Sequence, residues 1–165
     1  MRTLIVCLIF VSICLAAGCS SYRVIKVPTG AMQPTIKVDA TVISDDSAYS
    51  SGKSVERFDL VVHTRLVNEN DRKLGINENT NFIFRIIGLG GEKVELKNGA
   101  VFVNDARLNE PFEKYDSDDN FGPIIVPENE FFLLGDNRPE SNDSRFWKPS
   151  TIKRENIISK VIKIF

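Results

Sequence analysis

Three short stretches hold the side chains that could do chemistry. In VPTGAMQPT (27–35), Thr29 offers a hydroxyl next to Gly30 and Ala31. In SNDSR (141–145), Ser141, Asp143 and Arg145 set a hydroxyl, a carboxylate and a guanidinium at alternate positions. In FIFRII (82–87), Arg85 is a cation inside an apolar run. A hydroxyl attacks a carbonyl only when a base lies within hydrogen-bond reach. His63 is the only histidine, and its place in an alternating strand reads as an ordinary surface or half-buried side chain. No cluster of His, Cys or paired carboxylates has metal-ligand spacing, so neither a metal nor a cofactor is expected. Asp143 and Arg145 stand two apart. Together with Arg85 they read first as ion pairs that pin strands, because stripping one partner from a buried pair is costly. Phe82, Phe84, Phe131 and Phe132 read first as core packing.

Such groups need a frame, and the composition can supply one. At 165 residues, 42% apolar and 26% charged, the chain is long enough for one domain with a real core. A formal charge of −1 and the lack of any basic run exclude a nucleic-acid partner. Runs rich in Val, Ile and Phe, bounded by Gly, Asn, Asp and Pro, predict strands at 39–44, 59–64, 81–87, 92–96, 100–104, 130–134 and 159–164. In VELKNGAVFVN, Asn98-Gly99 supplies the two positive φ angles of a tight hairpin turn. The stretches 67–80 and 113–122 lack apolar periodicity and read as surface excursions. No segment has a long helical period, and only SRFWKPSTIKRENI (144–157) has room for a short helix or turn. The expectation is a mainly β protein with a single antiparallel domain over 19–165.

Residues 1–18 read as something other than that domain. Arg2 precedes an apolar run from Leu4 to Ala17 that ends in small residues before Cys19. The run is short for a membrane span and has the form of an export signal. LAAGC resembles a bacterial lipobox, which implies cleavage before Cys19 and lipidation of its thiol. The alternative is a short uncleaved anchor; either way the domain lies on the extracytoplasmic side, in the cell envelope. Cys7 and Cys14 lie within the run, so a cleaved chain keeps Cys19 alone and forms no disulfide. Ser20 after the cysteine leans toward outer-membrane sorting, by resemblance to other lipoproteins.

VPTGAMQPT, RFDLVVHTR, FIFRIIGLGGEKVELKNGAVFVNDARLNEPF and VPENEFFLLGDNRPESNDSRFW occur in this order. They resemble the successive motif boxes of the bacterial type I signal peptidases over nearly all of 24–165. The resemblance implies a β domain held against the membrane, with a serine nucleophile and a neutral lysine as its base. The serine position is Ala31 here, and the lysine position, just before Arg85, is Phe84. Either replacement disables that mechanism, since alanine has no nucleophile and phenylalanine takes no proton. By the same resemblance Thr29 stands at an oxyanion-stabilising position. Gly30, Met32, Pro34, Phe82 and Ile83 fall in the peptide groove, and Arg85, Ser141, Asp143 and Arg145 brace the site. Gly90 and Glu92 depart from the pattern, which predicts a looser turn there.

Two functions follow. The first is a non-catalytic, lipid-anchored relative that binds extended peptides, exported proteins or an envelope partner by strand addition. The second is an active serine-type endopeptidase that processes signal peptides with relocated groups, Thr29 or Ser141 being the candidate nucleophiles. No lysine falls at the base position to activate either.

Overall fold

The computed structural model describes residues 21–165 except Ser51, Asn68, Leu74, Glu113, Lys114 and Asp116. The expected signal segment, its alternative anchor and Cys19 therefore lie outside the described residues. In chain order the elements are β1 (Tyr22–Lys26), β2 (Thr41–Asp45), β3 (Leu60–His63), α1 (Glu69–Lys73), β4 (Phe82–Gly88), β5 (Lys93–Lys97), β6 (Ala100–Val103), β7 (Ala106–Arg107), β8 (Phe121–Ile125), β9 (Glu130–Leu134), β10 (Ile152–Lys153) and β11 (Ile157–Ile164). All pairings are antiparallel. One sheet runs β1-β2-β11-β3-β4-β9-β10 and a smaller one β7-β6-β5-β8. The mainly β, antiparallel expectation holds, and all seven expected strands are present.

Two apolar clusters explain the continuous runs in β4 and β9. Phe84, Ile86, Phe131 and Leu133 enter the first, with Met32, Val61, Val62 and Trp147, whereas Ile87, Phe132 and Leu134 enter the second, with Val94, Leu96 and Val101. Side chains alternate across a strand. A strand lying between two cores must therefore be apolar on both faces. Arg85 is buried on the second face of β4 and needs a partner there.

Several shorter elements differ from expectation. Residues 113–122 were expected as an excursion, but it ends at Phe121, where β8 begins and pairs with β5. Gly122 and Pro123 break the apolar alternation there, and proline is tolerated because β8 is an edge strand. The excursion 67–80 holds the one-turn α1, whose Asp71 is buried and pairs with Arg65, with 4% and 6% of their side chains exposed. It is thus tied to the domain rather than only riding on it. The 144–157 stretch holds the short turn expected there, the 3-10 turn Arg154–Asn156, and adds β10. β1 is exposed along most of its length and has weak patterning, which hid it.

The Asn98-Gly99 turn is as expected, with φ of 47° and 78°. A Cβ at Gly99 would also lie 1.8 Å from the Ser117 carbonyl oxygen. Gly99→Ala should therefore lower stability by about 2 kcal/mol or more, combining left-handed strain with a backbone collision. Denaturant midpoints of the two proteins measure it.

Candidate active-site frame

Loop 27–35 is held from the far side of the chain. Asn137 donates its backbone N–H to the Ala31 carbonyl at 3.0 Å and its Nδ2 to the Gly30 carbonyl at 3.1 Å. Thr35 Oγ1 donates to Asp136, and Asp136 also accepts from Arg85 Nε at 2.8 Å and Nη2 at 2.6 Å. Arg85 Nη1 donates to the Phe58 carbonyl at 2.9 Å, and its guanidinium lies 3.9 Å from the centre of the Phe112 ring. The expected partnership of Arg85 with Asp143 and Arg145 is thus corrected. Its carboxylate is Asp136, two residues past the end of the apolar β9.

Asp143 and Arg145 do pair with each other. Arg145 donates Nε and Nη2 to the two carboxylate oxygens at 2.8 and 2.9 Å, and Nη2 also reaches the Arg138 carbonyl at 2.8 Å. Its Nη1 pairs with Asp119. Asp143 in turn accepts from the Gly135 N–H at 3.1 Å. The result is a closed arch from Gly135 to Trp147 in which Asp143 and Arg145 bond the Gly135 N–H and the Arg138 carbonyl.

Ser141 lies inside this arch. Its Oγ is buried and has no hydrogen-bond partner among the described residues. A Cβ at Gly135 would lie 2.2 Å from that oxygen and 2.6 Å from the Ala31 carbonyl, so only glycine lets the loop and Ser141 converge. Ala31 is half-buried against the first core. Phe84, 4% exposed, is part of that core and makes an edge contact with Trp147 at 5.6 Å. Neither residue has a group that could accept a proton or attack.

The remaining expected site residues divide. Gly30, Phe82 and Ile83 are half-buried near the loop and the strand, and Thr29 and Pro34 are exposed. Met32 is 2% exposed and supports the loop from the core rather than lining an open groove. β9 pairs with β4 only from Arg85 onward, while β3 pairs with Phe82 through Arg85. Residues 82–84 therefore have strand neighbours on one side only, among the described residues. The turn after β4 is not looser. Glu92 accepts the Leu89 N–H at 2.7 Å and a two-point contact from Arg57 at 2.5 and 2.9 Å, so it closes the turn it was expected to relax.

Sequence reasoning missed His63 as a core residue. It is fully buried, with ring centroids 5.7 Å from Phe82 and from Phe84 and 5.6 Å from Trp147. Its position opposite Phe82 on paired strands brings it into the aromatic cluster. Alternation alone could not reveal that, because the polar residue falls on the buried face. Nδ1 donates to the Thr64 carbonyl at 3.1 Å, and Nε2 has no partner among the described residues. Burial lowers its pKa from 6.5 to about 4; the Thr64 contact opposes that shift and the Arg65 charge adds to it. Between those values the unfolded chain takes up a proton that the folded chain refuses. Stability from this group is therefore full above pH 6.5 and is lost as pH falls toward 4, by up to about 3 kcal/mol. His63→Phe should flatten that part of the stability–pH curve, and urea titrations from pH 7.5 to 4 measure the difference from wild type.

The profile of the family described as signal peptidase, peptidase S26, matches residues 1–165. Among curated relatives, the chain is 32% identical over 139 residues to a probable signal peptidase I-2 of Synechocystis, covering 84% of this chain and 61% of that protein. It is 34% identical over 139 residues to a signal peptidase I of Leptolyngbya laminosa, covering 84% and 66%. The chain thus spans about two thirds or less of the length of these relatives. A crystal structure of a signal peptidase I from Enterococcus faecalis superposes with a TM-score of 0.51 at 27% identity, over 67% of this chain and 98% of that one. The motif order, the two-core β domain and these matches agree: the chain belongs to the signal peptidase family, peptidase S26.

Proposed function

We propose that this protein is a non-catalytic signal peptidase homologue that holds extended polypeptide beside loop 29–31 and the open side of residues 82–84. It is anchored by lipid at Cys19 on the extracytoplasmic side of the cell envelope. The observation that supports this most is the state of Ser141. At the position where the family resemblance expects a serine to orient the base, its hydroxyl is buried without a partner. The residue at the base position is a packed phenyl ring. A buried hydroxyl without a partner among the described residues, together with a packed ring at the base position, is what an exchange of the amine for phenylalanine would leave. Strand addition needs only backbone groups and shallow pockets, so loss of the nucleophile leaves it intact. Among the described residues no helix is long and apolar enough to cross a membrane.

Wild-type protein should not cleave a signal-like peptide. Ser141→Ala in that background should be neutral or slightly stabilising, because it removes a buried hydroxyl that has no partner. Phe84→Lys alone should be strongly destabilising, since truncating a core phenylalanine costs about 3 to 5 kcal/mol and the amine must also be desolvated. In the Ala31→Ser, Phe84→Lys double variant the amine gains two hydroxyl partners. Ser141→Ala should now cost about 1 kcal/mol, reversing its sign, and slow cleavage may be sought there as the gain of function. Wild-type turnover that survives both Thr29→Val and Ser141→Ala would overturn the non-catalytic reading. For the anchor, mass spectrometry of the mature protein should find Cys19 as a lipidated N-terminal residue, and an unmodified Cys19 behind an intact N-terminus would refute it.

A further inference from the structure

A carboxylate stands over the loop that holds Ala31. Glu140 ends the 3-10 turn Arg138–Glu140, and its N–H donates to the Asn137 carbonyl at 3.1 Å. The turn is anchored by Arg138, 1% exposed, which pairs with Glu110 and donates Nε to the Gly135 carbonyl at 3.0 Å. Asn137 Nδ2 holds Glu140 Oε2 at 3.2 Å while also contacting the Gly30 carbonyl. A Cβ at Gly30 would lie 2.7 Å from the same oxygen. The carboxylate is thus fixed against the loop backbone. No lysine or arginine among the described residues forms a salt bridge with it.

An aromatic ring shares its surroundings. Pro139, Glu140, Ser141, Asn142 and Phe146 line one open depression. Phe146 is 60% exposed although the core is rich in phenylalanine, and the Arg145 guanidinium lies 5.0 Å from its ring centre. That guanidinium is already engaged by Asp143 and Asp119 and does not neutralise Glu140. An unpaired carboxylate next to an exposed aromatic face is complementary to an ammonium group, whose charge the one receives and whose alkyl stem the other covers.

We propose that this depression recognises an ammonium group on the bound polypeptide, with Glu140 as its counter-charge and Phe146 as the surface on which its stem rests. This rests on the peptide-groove reading above and gives that groove a preference its backbone contacts cannot supply. The ammonium has two chemical sources, a lysine side chain or the free amino terminus of a polypeptide.

The test uses the full chain in detergent and three alanine-rich peptides. One is acetylated and carries a lysine, one is acetylated with norleucine in its place, and one has norleucine and a free amino terminus. Calorimetric titration should show the lysine peptide, the free-terminus peptide or both binding roughly threefold to tenfold more tightly than the acetylated norleucine peptide, the modest size reflecting solvent exposure. The preference should shrink as salt is raised and vanish in Glu140→Gln, which is isosteric and keeps an acceptor for Asn137. Whichever peptide gains identifies the ammonium source. Equal binding of all three peptides, or a preference that persists in Glu140→Gln, overturns the ammonium site and leaves the groove standing. Failure of the acetylated norleucine peptide to bind, with no binding by the others, overturns the groove and this proposal together.

Discussion

Asp136 accepts Arg85 from β4 and Thr35 from the loop that follows residue 31, with the charge pair buried and the threonine half-buried beside it. Taking a charge pair out of water is costly unless geometry and extra hydrogen bonds restore what hydration supplied. Here the arginine also reaches the Phe58 carbonyl and faces the Phe112 ring, and the carboxylate takes three donors. The pair therefore fixes three segments of the chain in one arrangement. Loop 27–35, the central strand β4 and the arch after β9 cannot shift separately without leaving a charge buried and alone.

Two further arginines extend the same principle. Arg138 and Arg145 hold Glu110 and Asp119, which come from the segment leading to β8, so the smaller sheet's long connection is strapped onto the arch. These contacts depend on no group at residue 31 or 84. The ions serve the fold whether or not a nucleophile stands at residue 31, so selection for stability alone retains them. A buried amine at residue 84 has no such support. It costs desolvation at every pH near neutrality, and exchanging it for phenylalanine turns that cost into packing against His63 and Trp147.

The aromatic cluster also shapes what remains of the site. Phe82, Phe84, His63 and Trp147 form a rigid wall, with the Arg65 guanidinium over Phe82 at 4.9 Å and over Trp147 at 5.5 Å. Arg65 is itself tied to Asp71 of α1. Residues 82–84 are thus held by β3 on one side and by this aromatic backing.

The sequence by itself determined the β class, seven of the strands, the Asn98-Gly99 turn and the family, because each follows from local patterning or from short motifs in fixed order. It also determined that residues 31 and 84 lack reactive groups, which needs only their identities. Tertiary structure decided the partners. Arg85 meets Asp136 instead of Asp143, and that choice depends on which face of β4 looks toward the arch. Ser141 has no partner among the described residues, and His63 is buried in rings, because segments distant in sequence converge there. Glu92 tightens a turn because Arg57, 35 residues away, reaches it. β1 and β8 were hidden for the complementary reason: edge strands bury little, so their residues carry no strong period, and only their neighbours in the sheet define them. Local periodicity records how much of a residue is buried, but the identity of what it is buried against is a property of the closed chain.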